Sequence, residues 1–183
     1  MDDDASSYHR FLNGDESGFV DIVKAYNQNL LYFINGIVGN ITVAEDLMED
    51  TFVDLIVYKN RFKGNSSFKT FLFAIARNKA VDYIRKHKKL TYIADINQQA
   101  SELAELENSI IQTEEQRAVA KALDNIRSEY KAVLILLYFE DMSYEDASKV
   151  LKKTNKQVKN LAYLARKSIK TVLEKEGFNY EES

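Results

Sequence analysis

Apolar residues recur every three or four positions in several stretches of this chain, with polar residues filling the intervals, which is the period of helices packed on one face. Phe19, Ile22, Val23, Tyr26, Leu30, Phe33, Ile34 and Ile37 form one stripe, and Gly39 stands where a helix C-terminus places a glycine. Thr42 with Glu45 reads as a capping box that restarts a helix carrying Leu47, Phe52, Leu55 and Ile56. A break is expected near Phe62, at the loop Lys63-Gly64-Asn65-Ser66-Ser67. Ser66 or Ser67 then caps a long helix through Phe68, Phe71, Leu72, Ile75, Ala76, Val81 and Ile84. From Leu90 to about Thr113 the apolar spacing weakens, which predicts a linker with a short helix at Ser101 to Ile111. Such a stretch is long for a structureless loop inside one domain, so a boundary lies there.

Helical spacing returns at Arg117 to Ile126. Ser128 is expected to cap a helix carrying Val133, Leu134, Leu136, Leu137 and Phe139, and Ser143 with Asp146 opens a short helix to Leu151. Thr154 with Gln157 is a further capping box, opening a long helix to about Glu176 that Gly177 ends. The predicted architecture is all-α: a helical domain over 1–89, an acidic linker over 90–113 and a second helical domain over 114–183.

Composition supports that class. The 183 residues include no proline and six glycines, which removes the usual turn punctuation of sheet proteins and of glycine-rich phosphate loops. The absence of cysteine excludes disulfides, thiolate metal sites and cysteine nucleophiles, and two histidines leave little for metal or acid-base chemistry. Met-Asp-Asp-Asp is unlike the basic start of a secretory signal, and the longest apolar run, Val133 to Phe139, is far short of a bilayer span. A cytoplasmic protein without membrane insertion is expected.

The net charge of -3 conceals a strong segregation. Residues 1–60 hold 11 acids and 3 bases, 61–89 hold 9 bases and 1 acid, 90–116 hold 6 acids and no base, and 117–183 hold 13 bases and 10 acids. Eight of those last bases fall between Lys149 and Lys170 with no acid among them. Two basic blocks thus flank an acidic one. Basic clusters bind polyanions because neutralising phosphates releases condensed counterions. A solvated helix face accounts for many a single charge run, but two such runs in two helical units point to DNA.

Chemistry concentrates in two places. The helix Tyr144 to Leu151, the break Lys152-Lys153-Thr154 and the helix from Asn155 have the helix-turn-helix arrangement. Ala147, Val150 and Leu151 are placed to brace Val158, Leu161 and Ala165, so that Asn155, Lys156, Gln157, Lys159 and Asn160 face outward with donors and acceptors for base edges. Lys152, Lys153 and Arg166 suit phosphates. In the first unit, Asn65 to Arg85 interleaves aromatics with bases, a combination suited to single-stranded DNA. Helical spacing puts most of Phe68, Phe71, Leu72 and Ile75 in the core, leaving at most one or two exposed aromatics.

Ala44-Glu45-Asp46-Leu47 to Phe52, Ser67-Phe68 to Arg85, and Ser143-Tyr144-Glu145-Asp146 to Ala165-Arg166-Lys167, in that order, resemble a sigma-70 family sigma factor of the small extracytoplasmic-function (ECF) type. The resemblance covers nearly the whole chain, with region 2 in the first unit and region 4 in the last. It implies a non-enzymatic protein without cofactor or metal, which binds core RNA polymerase, directs it to promoter DNA and helps melt the -10 element; an anti-sigma factor is a further partner to consider. Carried onto matching positions, Asp46, Leu47, Asp50 and Phe52 correspond to the polymerase-docking segment. Asn65, Ser66 and Ser67 correspond to the loop that captures a flipped non-template base. Lys69, Arg77, Asn78, Asp82 and Arg85 lie on the helix facing -10 DNA. Lys152, Lys153, Thr154, Asn155, Lys156, Gln157, Lys159 and Asn160 correspond to the turn and helix that read the -35 element. The chain departs from the family pattern at Phe71, where tryptophan is common, at Lys152 and Lys153, where a glycine and an apolar residue are usual, and at Ala147-Ser148, where Ile-Ala is usual.

Two other readings remain at this point. A helix-turn-helix regulator would bind operator DNA without polymerase, its first unit serving for effector binding or dimerisation. An all-α enzyme would use Glu45, Asp46, Glu49, Asp50 and Asp54, but no Glu-x-x-His partner for a carboxylate metal site occurs. No nucleophile elbow or other catalytic signature surrounds Ser, His or Asp; His87, among lysines and arginine, is read as backbone-tracking or exposed, and His9 has no candidate partner nearby in sequence.

Overall fold

A computed structural model describes residues 3–87 and 113–177. All regular structure among them is helical, and the chain divides into two compact units, Met1–Asp95 and Ile96–Ser183. The predicted linker over 90–113 and its short helix at 101–111 lie outside the described residues, apart from Thr113.

In the first unit, α1 (Asp3–Leu12) packs on α2 (Glu16–Val38), and α2 also packs on α3 (Ile41–Val57) and α4 (Phe68–His87). Ile22, Tyr26, Leu30, Phe33 and Ile34 of α2 are buried, as their helical spacing requires, against Leu55, Phe68, Leu72 and Phe73. Helix α1 was not expected from the sequence, because ten residues with only Tyr8, Phe11 and Leu12 as large apolar groups give too short a stripe. Its docking depends on Gly18: a Cβ there would lie 2.3 Å from the Ser7 carbonyl oxygen and 2.8 Å from the Phe11 nitrogen. Arg10 secures the same crossing, donating to Ser17 Oγ at 3.0 Å and to Asp21 Oδ2 at 2.6 Å.

Two helix boundaries of this unit differ from expectation, and a third falls where expected. Asn40, not Thr42, caps α3, since its side chain accepts from the Val43 N–H at 3.0 Å directly after Gly39 has ended α2 in the left-handed region (φ 69). Helix α3 stops at Val57 rather than near Phe62, and the intervening residues form a turn in which the Arg61 N–H donates to the Tyr58 carbonyl at 3.0 Å. Ser67 caps α4, as one of the two expected serines, accepting from the Thr70 N–H at 3.1 Å.

The second unit comprises α5 (Glu114–Asp124), α6 (Ser128–Leu134), a π-helical turn over Ile135–Phe139, α7 (Tyr144–Leu151) and α8 (Asn155–Lys175). Helix α5 begins three residues before the predicted Arg117 because Thr113 and Gln116 form a reciprocal capping box. Ser128 is the first residue of α6, not its cap; Arg127 holds the cap position with no side-chain bond. Ser143 and Thr154 cap α7 and α8 as expected. Val133, Leu134, Leu136, Val150, Leu161 and Ala165 are buried in the core that α8 closes.

Lys152 ends α7 in the left-handed region at φ 53, where a side chain costs about 1–2 kcal/mol. Two stability changes follow. Lys152→Gly should raise unfolding free energy by up to about 1 kcal/mol, after the added freedom of the unfolded chain is subtracted. Gly18→Ala should lower it by about 1–3 kcal/mol through overpacking against backbone. Denaturant titration reads both; a destabilised Lys152→Gly or a neutral Gly18→Ala would contradict these assignments.

Candidate nucleic-acid interface

In the first unit the expected DNA-facing residues follow a turn that Gly64 permits at φ 73. Asn65 is exposed, while Ser66 is half-buried and donates to the Ser67 carbonyl at 3.2 Å. Ser67 is committed to the α4 cap, with its Oγ also 2.8 Å from Thr70 Oγ1. Asn65 is thus the loop side chain most open to a ligand. Along α4, Lys69, Arg77 and Asn78 are half-buried, and Asp82 and Arg85 are exposed within 3.7 Å of each other. Burial pushes the Arg77 guanidinium below its usual value, Arg85 adds repulsion and Asp82 opposes both; arginine stays charged nonetheless. His87 stacks on Tyr83 at 4.1 Å, with Nδ1 2.9 Å from the Tyr83 carbonyl oxygen. Phe68 and Phe73 are buried and Phe71 half-buried, so none of the phenylalanines of α4 is fully exposed.

Helix α3 carries the other predicted set. Asp46 and Asp50 are exposed and Leu47 half-buried, but Phe52 is in the core, edge-on to Phe19 at 6.3 Å, and supports the face from behind. Val53 and Val57, which lie outside the expected apolar stripe, and Ile56, which the stripe includes but the structure leaves exposed, extend the face with an apolar end, Val57 being 61% exposed. Asp46, Asp50, Val53 and Val57 fall on one stripe. The signal was in the spacing, but apolar residues on both sides of α3 blurred it. Lys79 ties α4 to α3 through Asp54 at 3.2 Å.

In the second unit, the brace and the outward face both form as expected. Ala147, Val150 and Leu151 of α7 and Val158, Leu161 and Ala165 of α8 are buried, while Asn155, Lys156, Gln157, Lys159 and Asn160 are exposed. Gln157 also serves the helix start, its amide oxygen accepting from the Thr154 N–H at 2.8 Å. Lys152 is exposed, whereas Lys153 is half-buried and paired with Glu129 at 3.0 Å. Arg166 donates to the hydroxyls of Tyr138 at 3.0 Å and Tyr144 at 3.2 Å, which raises its pKa. Lys159 lies 5.9 Å from the Tyr144 ring. Tyr163, 58% exposed, lies one helical repeat beyond Lys156 and Lys159 and prolongs their face. It went unnoticed because a tyrosine at helical spacing reads as core.

An apolar groove of about 570 Å³ runs along this unit, lined by Val119, Leu123, Phe139, Ile169 and Leu173, with Tyr138 and Arg166 at its polar side. Among the described residues there is no cluster of three or more metal-ligating side chains and no helix long and apolar enough to cross a membrane.

The sequence models of sigma-70 region 2 and sigma-70 region 4 match residues 22–90 and 116–169. The chain is 26% identical over 161 residues to the ECF RNA polymerase sigma factor SigM of Bacillus subtilis (strain 168), covering 88% of this chain and 98% of that relative. It is 25% identical over 171 residues to SigW of the same organism, covering 87% and 91%. In fold it is similar to the sigma factor RpoE of Bartonella quintana, solved with the anti-sigma factor NepR (TM-score 0.63, 19% identity, 90% and 98% covered). It is also similar in fold to CnrH, solved with the cytosolic domain of CnrY (TM-score 0.64, 22% identity, 93% and 94% covered).

The Lys153–Glu129 pair yields a measurable consequence. Glu129→Gln removes the partner that holds the Lys153 ammonium, so binding to non-specific DNA should tighten and the slope of log K against log salt should steepen by about 0.9, the value for one added phosphate contact. Fluorescence anisotropy across a salt series checks this; an unchanged slope would show that Lys153 stays off the phosphate track.

Proposed function

This chain belongs to the sigma-70 family of RNA polymerase sigma factors, of the ECF type, and on that footing we propose how its two units divide the work of promoter recognition. It binds core RNA polymerase and directs it to promoters. The domain over 1–89 docks on polymerase and melts the -10 element, the domain over 114–183 reads the -35 element, and residues 90–113 tether them. The chain acts without an active site of its own, as a cytoplasmic partner of polymerase.

The observation that carries this reading is the exposed face of α3. A regulator that only binds operator DNA has no need of an acidic and apolar protein-docking stripe beside a basic helix. Here Asp46 and Asp50 lead into Val53 and Val57 on the same side, while Asp54 and Lys79 hold α3 to the basic helix α4. Acidic residues at the rim steer a basic partner and an apolar centre supplies contact area. Asn65 is placed to receive a flipped base at the start of α4, and Arg77, Asn78, Asp82 and Arg85 line the path of -10 DNA. In the second unit, Asn155, Lys156, Lys159 and Asn160 reach base edges, and Lys152 tracks the backbone. The apolar groove lined by Leu123, Phe139 and Leu173 suits the amphipathic helix of a protein partner, such as an anti-sigma factor of the kind found with the solved RpoE.

Asp46→Lys with Asp50→Lys, and separately Val53→Glu, should each weaken binding to core polymerase by at least about tenfold, a loss of 1.4 kcal/mol or more. Circular dichroism and the thermal midpoint of the isolated protein should change little, since these side chains are exposed. Unchanged affinity in competition with labelled wild-type chain would reject the docking face. On the second unit, Lys156→Ala or Lys159→Ala should cost about 1–3 kcal/mol on the preferred upstream sequence and less on others, whereas Lys152→Ala should weaken all sequences alike. Equal, sequence-independent losses for both classes would misplace the recognition face.

A further inference from the structure

We infer that the open cleft at the C-terminal end of α3 is a second single-stranded DNA site, in which Tyr58 and Arg61 form a stacking platform for an unpaired base. The inference rests on the proposal above that the adjoining Asn65–Ser67 loop receives a flipped base. The cleft has a volume of about 740 Å³ and runs from Ile56 to Lys63. Lys59, Arg61 and Lys63 line it and no acid does. That charge disfavours a cation or a basic peptide and favours a polyanion; the exposed ring of Tyr58 favours one with flat, weakly hydrated parts. A nucleic acid strand has both.

The platform is already assembled. Tyr58 is 44% exposed, and the Arg61 guanidinium carbon lies 3.7 Å from the centroid of its ring. Seated over the phenol ring, the guanidinium offers its outer face as a flat cationic surface on which any base stacks, since every base has a π-face. The backbone beneath is held from three sides. The Arg61 N–H donates to the Tyr58 carbonyl at 3.0 Å, the Tyr8 hydroxyl donates to the Lys59 carbonyl, and Phe62 is packed by Tyr8, Phe68 and Phe71 at 5.2 to 5.8 Å. Lys59 is itself drawn over the Phe11 ring at 4.8 Å, so Arg61 and Lys63 are the cations nearest a phosphate.

Sequence continuity gives the order along the strand. Helix α4 leads from the loop toward Arg85, along the proposed path of -10 DNA, and the cleft adjoins the loop at its other side in the chain. A strand whose base has flipped at Asn65 would therefore pass next over Tyr58 and Arg61.

The test uses holoenzyme assembled from core polymerase and the full chain, with two fork-junction DNAs. In one the non-template strand ends at the flipped base, and in the other it continues for four further nucleotides. The extension should tighten wild-type binding about tenfold, the range expected for one stacked base. Tyr58→Ala and Arg61→Ala should each abolish that gain while leaving affinity for the short fork and for core polymerase unchanged, and Tyr58→Phe should keep it. No gain in the wild type, equal loss in Tyr58→Phe and Tyr58→Ala, or a loss of core affinity in the alanine variants would each overturn the inference. A wild-type holoenzyme that fails to bind the short fork would instead overturn the flipped-base reading on which it rests.

Discussion

Tyr8, Phe62 and Phe68 meet at ring separations of 4.9 to 5.8 Å, and everything the first unit presents to DNA hangs from that contact. Phe62 belongs to the connection between α3 and α4, Phe68 is the first residue of α4, and Tyr8 comes from α1. Joining them fixes a connection that would otherwise be long and polar. Burial of these rings is a large share of what orders the segment, because each aromatic removes 150 to 250 Å² from water. The Tyr8 hydroxyl, buried enough that its pKa rises, meets its hydrogen-bonding need at the Lys59 carbonyl. The close crossing of α1 and α2 at Gly18 keeps Tyr8 within reach. A glycine with no functional group therefore bears on the loop at Asn65.

The second unit solves a comparable problem with a turn instead of a ring cluster. Helices α7 and α8 must meet closely enough for Val150 and Leu151 to pack on Val158 and Leu161, which forces the chain through a left-handed residue between them. This chain places Lys152 there, accepting backbone strain in exchange for a cation at the mouth of the recognition helix. Nearby, Arg166 joins the hydroxyls of Tyr138 and Tyr144, linking α8 to both the π-helical turn and α7. The face proposed to meet DNA is thereby tied to the wall of the apolar groove, since Arg166, expected at phosphates, also lines the groove beside Tyr138.

Much of this was legible beforehand, for identifiable reasons. The stripe of α2, the serine caps of α4 and α7 and the box Thr154–Gln157 are local signals, set by residues three or four apart, and each formed as read. Asn40 displaced Thr42 as a cap because Gly39 ends α2 immediately before it, leaving no room for a later start. Ser128 lost the cap position because the extended residue that precedes the helix is Arg127, which puts Ser128 in the first turn. What local pattern does not encode is which of two apolar faces turns inward. Phe52, which the resemblance puts in the docking segment, lies in the core as its place in the apolar stripe requires, while Val53 and Val57 lie outside. The pairing of Lys153 with Glu129 likewise joins residues far apart in sequence, and no spacing rule reports it.

The central claim is that one chain carries two DNA-reading units that act together through polymerase. Selection of random double-stranded fragments by the full chain, with and without core polymerase, tests it most directly. With core polymerase, recovered fragments should share two sequence boxes at a fixed separation, with the downstream box reactive to a probe of unpaired thymine, and without it enrichment should be weak. Efficient recovery without polymerase of a single box, or of a palindrome matching a two-fold dimer, would contradict the account.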